Sequence, residues 1–215
     1  MTADVVLEDV LAELKARYAE PQRAYHTWDH VEALLRWFEG VRDRLHDPEA
    51  VRLAILFHDA IYDPTRSDNE ALSAELLRGR MTGRVASATL ERAVGMVEAT
   101  AKHLPSPDLS SADAEDLALF LDMDLSILGA PEGVFDAYER NVRTEYAHVP
   151  DEAFRAGRTR ILRTFAEREQ LYFSDWGRER FEAPTRANIA RSLTALEGTP
   201  ARTATPLYHQ AKQRE

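Results

Sequence analysis

Leu53-Ala54-Ile55-Leu56-Phe57-His58-Asp59-Ala60-Ile61-Tyr62 is an apolar run that suddenly offers an adjacent His-Asp pair. Asp47-Pro48 precedes it as a helix start, with Asp as the N-cap and Pro at the first helical position. The pattern predicts a helix over about 48–62. On that helix Val51, Ala54, Ile55, His58 and Ile61 share one face, so the His58 imidazole points where the core should be. A polar group there needs a hydrogen-bond partner or a metal, because desolvation without one costs a few kcal/mol. The Asp59 carboxylate can reach the same point from the adjoining edge of the helix.

Working outward, the sequence reads as helices throughout. Stripes of period 3.6 recur and alternating β-branched runs are absent. Before the central run, helices are expected over about 3–19 (Val6, Val10, Leu11, Leu14 inward) and about 28–45, capped by Thr27. After it comes a turn at Asp63-Pro64-Thr65, then Ser67-Asp68-Asn69-Glu70 with capping-box spacing and a helix over about 68–80. Further helices are expected over about 84–102, 112–128, 131–147, 151–170 and 184–198. The helices over 131–147 and 151–170 read as a pair, with Phe154, Ile161, Leu162 and Phe165 on the second. The fold class is therefore all-α: one compact domain of eight or nine helices over residues 1–198. The polar tail of residues 199–215 is expected to be disordered.

Composition narrows the chemistry. The chain of 215 residues is 44% hydrophobic and 30% charged, enough for one sizeable core. It has no cysteine, so disulfides, iron–sulfur clusters and thiolate zinc sites are excluded and any metal must be held by His and carboxylates. A net charge of −10 argues against binding a nucleic-acid backbone. It leaves room for a small phosphorylated substrate, since a metal can dominate the field inside a pocket. No leader-like or membrane-spanning apolar run is present, so a cytoplasmic location is the default and no membrane partner is expected. A homodimer fits, though no interface patch stands out.

Two other segments place titratable groups inward. In Phe120-Leu121-Asp122-Met123-Asp124, the apolar face is set by Leu117, Phe120, Leu121 and Leu128. Asp124 falls near its middle, and Asp122 lies about 160° away if the helix is regular. A carboxylate centred on an apolar stripe is paired, hydrogen-bonded or on a metal, so Asp124 is the preferred ligand and Asp122 the fallback. In Tyr25-His26-Thr27-Trp28-Asp29-His30, His30 sits at the edge of an inward face. His26 is one turn away, or outside the helix if Thr27 caps it.

With His30, the His58-Asp59 doublet and Asp124 all on helices, the chain resembles the HD superfamily of metal-dependent phosphohydrolases. Five wider strings resemble one branch, whose members are generally labelled predicted metal-dependent HD-type phosphohydrolases. They are Tyr25-His26-x-x-x-His30, Phe57-His58-Asp59-x-x-Tyr62-Asp63, Asp68-Asn69-Glu70-x-x-Ser73-Ala74, Thr100-x-x-His103 and Asp122-x-Asp124-Leu125-x-x-Leu128-Gly129. The resemblance covers about residues 5–198. Met123, in place of the usual Ala or Val, is a mild departure.

The resemblance implies one divalent metal held by His30, His58, Asp59 and Asp124. Mixed imidazole and carboxylate ligands suit Mn, Fe, Co or Ni better than Mg or Zn. It further implies hydrolysis of a phosphate ester, of a nucleotide or another small phosphorylated metabolite, by a metal-activated water. Catalytic candidates are Asp59, Asp63 and Glu70, and substrate-binding candidates are His26, Lys102 and His103. His103 could alternatively contribute to a second metal. Glu70 reads equally well as the closing residue of a capping box, Asp63 as a turn residue, and Lys102 as a solvated helix-end charge. Arg143, Tyr146, Arg158 and Arg186 could reach substrate from the C-terminal helices, though an ordinary surface or packing role is the simpler reading. His46, His148 and His209 read as structural or solvent-exposed. Two other functions stay open: oxygen-dependent cleavage at a two-iron site, and a metal-stabilised binding or regulatory protein without turnover.

Overall fold

A computed structural model describes residues 8–105 and 108–198. The expected tail, His209 and Val6 lie outside the described residues. The fold is all-α. Among the described residues nine helices of ten residues or more follow in order: α1 (Glu8–Tyr18), α2 (Trp28–Val41), α3 (Pro48–Phe57), α4 (Asn69–Met81), α5 (Ser87–Ala99), α6 (Ser111–Asp124), α7 (Glu132–Glu145), α8 (Asp151–Ala166) and, after the single turn α9 (Asp175–Gly177), α10 (Ala183–Gly198). No helix among them is long and apolar enough to cross a membrane.

The central run forms the central helix. α3 packs against α2, α4, α5 and α6, and Leu53 to Phe57 are buried on every side. Its start is as the sequence predicts: Pro48 occupies the first turn and the Asp47 carboxylate accepts the Ala50 N–H at 3.0 Å. Its end is not. The helix stops at Phe57, with His58 as its C-cap, and Ile61 lies beyond it rather than on its inward face. A long-range partner accounts for the stop. Arg23, with its side chain fully buried, donates to the carbonyls of Asp59 (2.8 Å), Ala60 (3.1 Å) and His26 (2.9 Å). Those carbonyls are thereby satisfied outside a helix.

Other boundaries shift for local reasons. The Ser67–Glu70 capping box does not form: α4 begins at Asn69, and the Asp68 carboxylate pairs with Arg66 at 2.7 Å instead of capping. Thr27 is the N-cap of α2 by position, without a side-chain cap bond. After α6 the chain tightens into a 3₁₀ turn, Leu125–Gly129. Between α9 and α10 it widens into a π turn, Arg178–Glu182, just ahead of Pro184, which has no N–H to return to the preceding turn.

One contiguous apolar core runs from Val10, Leu14 and Tyr18 of α1 to Ile189 of α10. Of the four large apolar residues of α8, Leu162 enters the core and Phe165 packs half-buried against it; Phe154 is half-buried and Ile161 is 49% exposed.

Candidate metal centre and its cleft

His58 and Asp59 follow directly on the end of α3, and their side chains meet there. His58 Nε2 and Asp59 Oδ2 stand 3.0 Å apart. α2 brings His30 Nε2 to 3.2 Å from His58 Nε2, and α6 ends by placing Asp124 Oδ1 3.1 Å from His30 Nε2 and 3.5 Å from His58 Nε2. His30 Nε2 to Asp59 Oδ2 is 3.9 Å. His30, His58 and Asp124 are all buried and form a group that could hold a metal ion.

The donor set fits such an ion. Ligand bonds of about 2.0–2.2 Å place neighbouring donors roughly 3.0–3.5 Å apart, and four of the five distances above fall in that range. The second nitrogens are already occupied. His58 Nδ1 donates to the Ile55 carbonyl at 3.0 Å, and His30 Nδ1 meets the Tyr25 hydroxyl at 3.1 Å. This leaves both Nε2 atoms to the corner, with the outer hydrogen bonding usual for imidazole ligands.

The electrostatics are those of a tight mixed cluster. Burial, ahead of its Asp124 hydrogen bond, holds His30 below its ordinary value. Burial also opposes charge on His58, but the Asp59 and Asp124 carboxylates outweigh it and hold that imidazole well above its ordinary range. Burial would raise both carboxylates, yet the positive charge on His58 keeps Asp59 and Asp124 well below theirs.

Asp124 has a second oxygen, and His103 takes it: His103 Nε2 is 2.9 Å from Asp124 Oδ2. His103 adopts φ of 46°, a left-handed conformation that histidine visits more readily than most residues. Arg168 holds it there by donating to the carbonyls of Lys102 and His103, each at 2.9 Å. His103 thus supports the Asp124 carboxylate. A second ion beside it would share Asp124 and add one histidine, for among the described residues His30, His58 and Asp124 are the one group of three that could hold a metal.

The fallback ligand faces the other way, as its helical phase predicts. Asp122 accepts the N–H groups of Phe173 and Ser174 at 2.8 Å each and the Ser174 hydroxyl at 2.6 Å. Its carboxylate lies so close to Gly177 that a Cβ there would overlap it. Burial, against these donors, pushes Asp122 up to about 6. Asp122→Asn turns an amide N–H₂ toward a donor but removes a charge that burial disfavours, so it should change stability little and leave metal content unchanged. Asp124→Asn should instead lose metal. Metal analysis and urea unfolding of the two variants separate these outcomes, and metal loss in Asp122→Asn would overturn the assignment.

His30, Asp59 and Asp124 of the corner line a cleft of about 690 Å³, with His58 behind them; His26, Glu70, Lys102 and His103 line it too. Asp63 is not among the lining residues; its carboxylate closes the turn by accepting the Thr65 N–H at 2.8 Å and hydroxyl at 2.7 Å. Tyr146 and Arg158 also line the cleft. Arg143 instead donates to the Tyr146 and Val149 carbonyls, and Arg186 to those of Arg168 and Glu169. His46 pairs with Glu115 at the surface, and His148 stacks on Tyr146.

Two residues that build this site were not expected. Arg23, described above, ties the loop before α2 to the end of α3. Glu145, at the end of α7, is buried and accepts five hydrogen bonds. Its Oε1 takes the N–H groups of Ala24 (2.8 Å), Tyr25 (2.7 Å) and His26 (2.9 Å). Its Oε2 takes the Tyr62 hydroxyl (2.8 Å) and His26 Nδ1 (2.7 Å). One carboxylate thus fixes the turn that carries Tyr25 and His26. A local signal existed: Phe135, Tyr138, Val142 and Glu145 share a helical face, which is the reasoning that singled out Asp124. Arg23, in a polar loop, gave none.

Fold and site define an all-α protein with a buried His–His–carboxylate group able to hold a metal ion. No family model, curated protein or solved structure matches the chain.

Proposed function

We propose that the protein is a metal-dependent hydrolase of a phosphate ester, acting on a nucleotide or another small phosphorylated metabolite. The observation that carries this reading is the meeting of His30, His58, Asp59 and Asp124 at the base of a cleft that His30, Asp59 and Asp124 line. A divalent ion of the Mn, Fe, Co or Ni type, bound there, would polarise a phosphoryl oxygen and acidify a bound water. Phosphoryl transfer otherwise asks mainly for positioning and charge. His26 presents an imidazole to the cleft, and burial, which disfavours its charge, is outweighed by Asp59 and Glu145 so that its pKa is raised. His26 and Lys102 hold phosphoryl oxygens in this reading, and Glu70 takes the proton of the attacking water.

Metal content per chain, followed by phosphate release from nucleotides and sugar phosphates with Mn²⁺, Co²⁺ and Ni²⁺, tests it. About one ion per chain with metal-dependent release is the expected result. No metal after reconstitution, or metal without release from any ester, overturns it. The two-iron reading has one observation in its favour, His103 against the outer oxygen of Asp124. Two irons per chain without phosphate release would replace the hydrolase reading with that one.

A further inference from the structure

The cleft reaches well beyond the metal corner, and its far wall is α8. Ala153, Phe154, Gly157, Ile161 and Phe165 line it, at the spacing of one helix face. Leu162 on the same helix is fully buried in the core, while Ile161 is half exposed. An apolar stripe inside a concave site, continuous with a polar corner, is the ordinary arrangement for recognising the organic part of a ligand. The charge on this wall is already neutralised: Arg158 donates to Glu139 and, at 2.9 Å, to the Tyr138 hydroxyl.

Gly157 is an independent observation. A glycine inside a helix weakens it relative to alanine, so its presence asks for a reason. Gly129 has a packing reason, since a Cβ would press on Phe181 and Thr185, and so has Gly177, against Asp122. A Cβ on Gly157 would meet nothing within 4 Å, which is equally true of the helical glycines Gly40, Gly79, Gly95 and Gly133; what sets Gly157 apart is its place. Among the described glycines it is the one that lines the cleft, and the missing side chain widens that cleft midway along α8.

Building on the hydrolase reading, we propose that the substrate is a phosphate ester whose organic part is bulky and apolar, seated on the α8 wall, with Gly157 setting the room for it. Against Phe154, Ile161 and Phe165 the hydroxyls of a sugar or other polyol would lose water, and on the α8 wall Thr164 offers them one uncharged partner. An aromatic or aliphatic group gains from the same contact.

Two measurements on the full chain test this. The first compares kcat/KM for 2-(1-naphthyl)ethyl phosphate, methyl phosphate and glucose 6-phosphate, all esters of primary alcohols, in the metal-loaded protein. The second is calorimetric binding of non-hydrolysable 1-naphthylphosphonate, with and without metal. The naphthylethyl ester should exceed both other esters at least about tenfold. Gly157→Leu, which fills the open space, should lower phosphonate affinity and the naphthyl-to-methyl ratio by a similar factor. Ile161→Ser, at a half-exposed position that the fold tolerates, should move both in the same direction. Esters hydrolysed without regard to their organic part would leave the hydrolase reading intact and overturn this inference, as would naphthyl binding indifferent to Gly157→Leu. Phosphonate binding weakened by Gly157→Leu, without hydrolysis of any ester, would uphold apolar recognition and remove the hydrolase reading.

Discussion

Asp59→Ala is expected to leave the protein folded, empty of transition metal and without phosphate release. Outer partners of metal ligands are worth about 10–100-fold in affinity, so loss of a ligand itself should cost more. The fold should tolerate the change because Asp59 is the most exposed of the four donors, with its side chain 20% accessible, and because Arg23 holds the backbone at this position through the carbonyl. His58→Ala should give the same metal and activity loss with an added stability cost of about 2–4 kcal/mol. It empties a buried site and leaves the Ile55 carbonyl without its donor. Metal analysis beside thermal unfolding reads both effects. Either variant with full metal content would show that the ligand set is wrong.

Glu145→Ala is expected to be the most destabilising single change outside the metal corner, by about 3–5 kcal/mol. Three backbone N–H groups, a tyrosine hydroxyl and an imidazole lose their common acceptor at once. The effect carries a pH signature. Burial alone would raise the Glu145 pKa, but His26 and the backbone donors outweigh it and hold it at about 2, against an ordinary 4.5. The folded state therefore binds this proton more weakly than the unfolded chain. The resulting stabilisation, about 3 kcal/mol, is fully present above roughly pH 5 and is lost as pH falls towards 2. Its partner His26 has a raised pKa, so its share is present below the ordinary value of 6.5 and is lost as pH rises through the folded one. Urea unfolding of wild type and Glu145→Gln between pH 6 and pH 3 checks this. Wild type should lose stability more steeply than the variant, and parallel curves would remove Glu145 from its assigned role.

What could be read in advance follows from the range of the forces involved. Helix periodicity is local, so the helices, the start of α3 at Asp47-Pro48 and the opposite phases of Asp122 and Asp124 were all legible. The stop of α3 at Phe57 was not, because it is set by a guanidinium from the loop before α2. The α8 stripe was legible as apolar but not as cleft-facing, since an amphipathic pattern records that a face meets apolar matter and not whether that matter is core or ligand. Asp63 and Glu70 each had a local and a site reading. Asp63 closes its turn, and the capping box lost its claim on Glu70 because α4 starts after Asp68 rather than Ser67, which puts Ala71 at its third position.

The spacing of the metal corner along the chain bears on how such a site comes into being. His30 and Asp124 are 94 residues apart in sequence, and each of the four donors sits on or at the end of a helix whose place is set by the shared apolar core. Closing so long a segment is entropically costly and comes after local helices have formed. An ion offered to the unfolded chain would find its ligands scattered. The corner is thus a late product of collapse, and any ion it takes is a guest admitted to a finished scaffold. That is the opposite order to the small metal-folded modules, in which the ion does the work of the core.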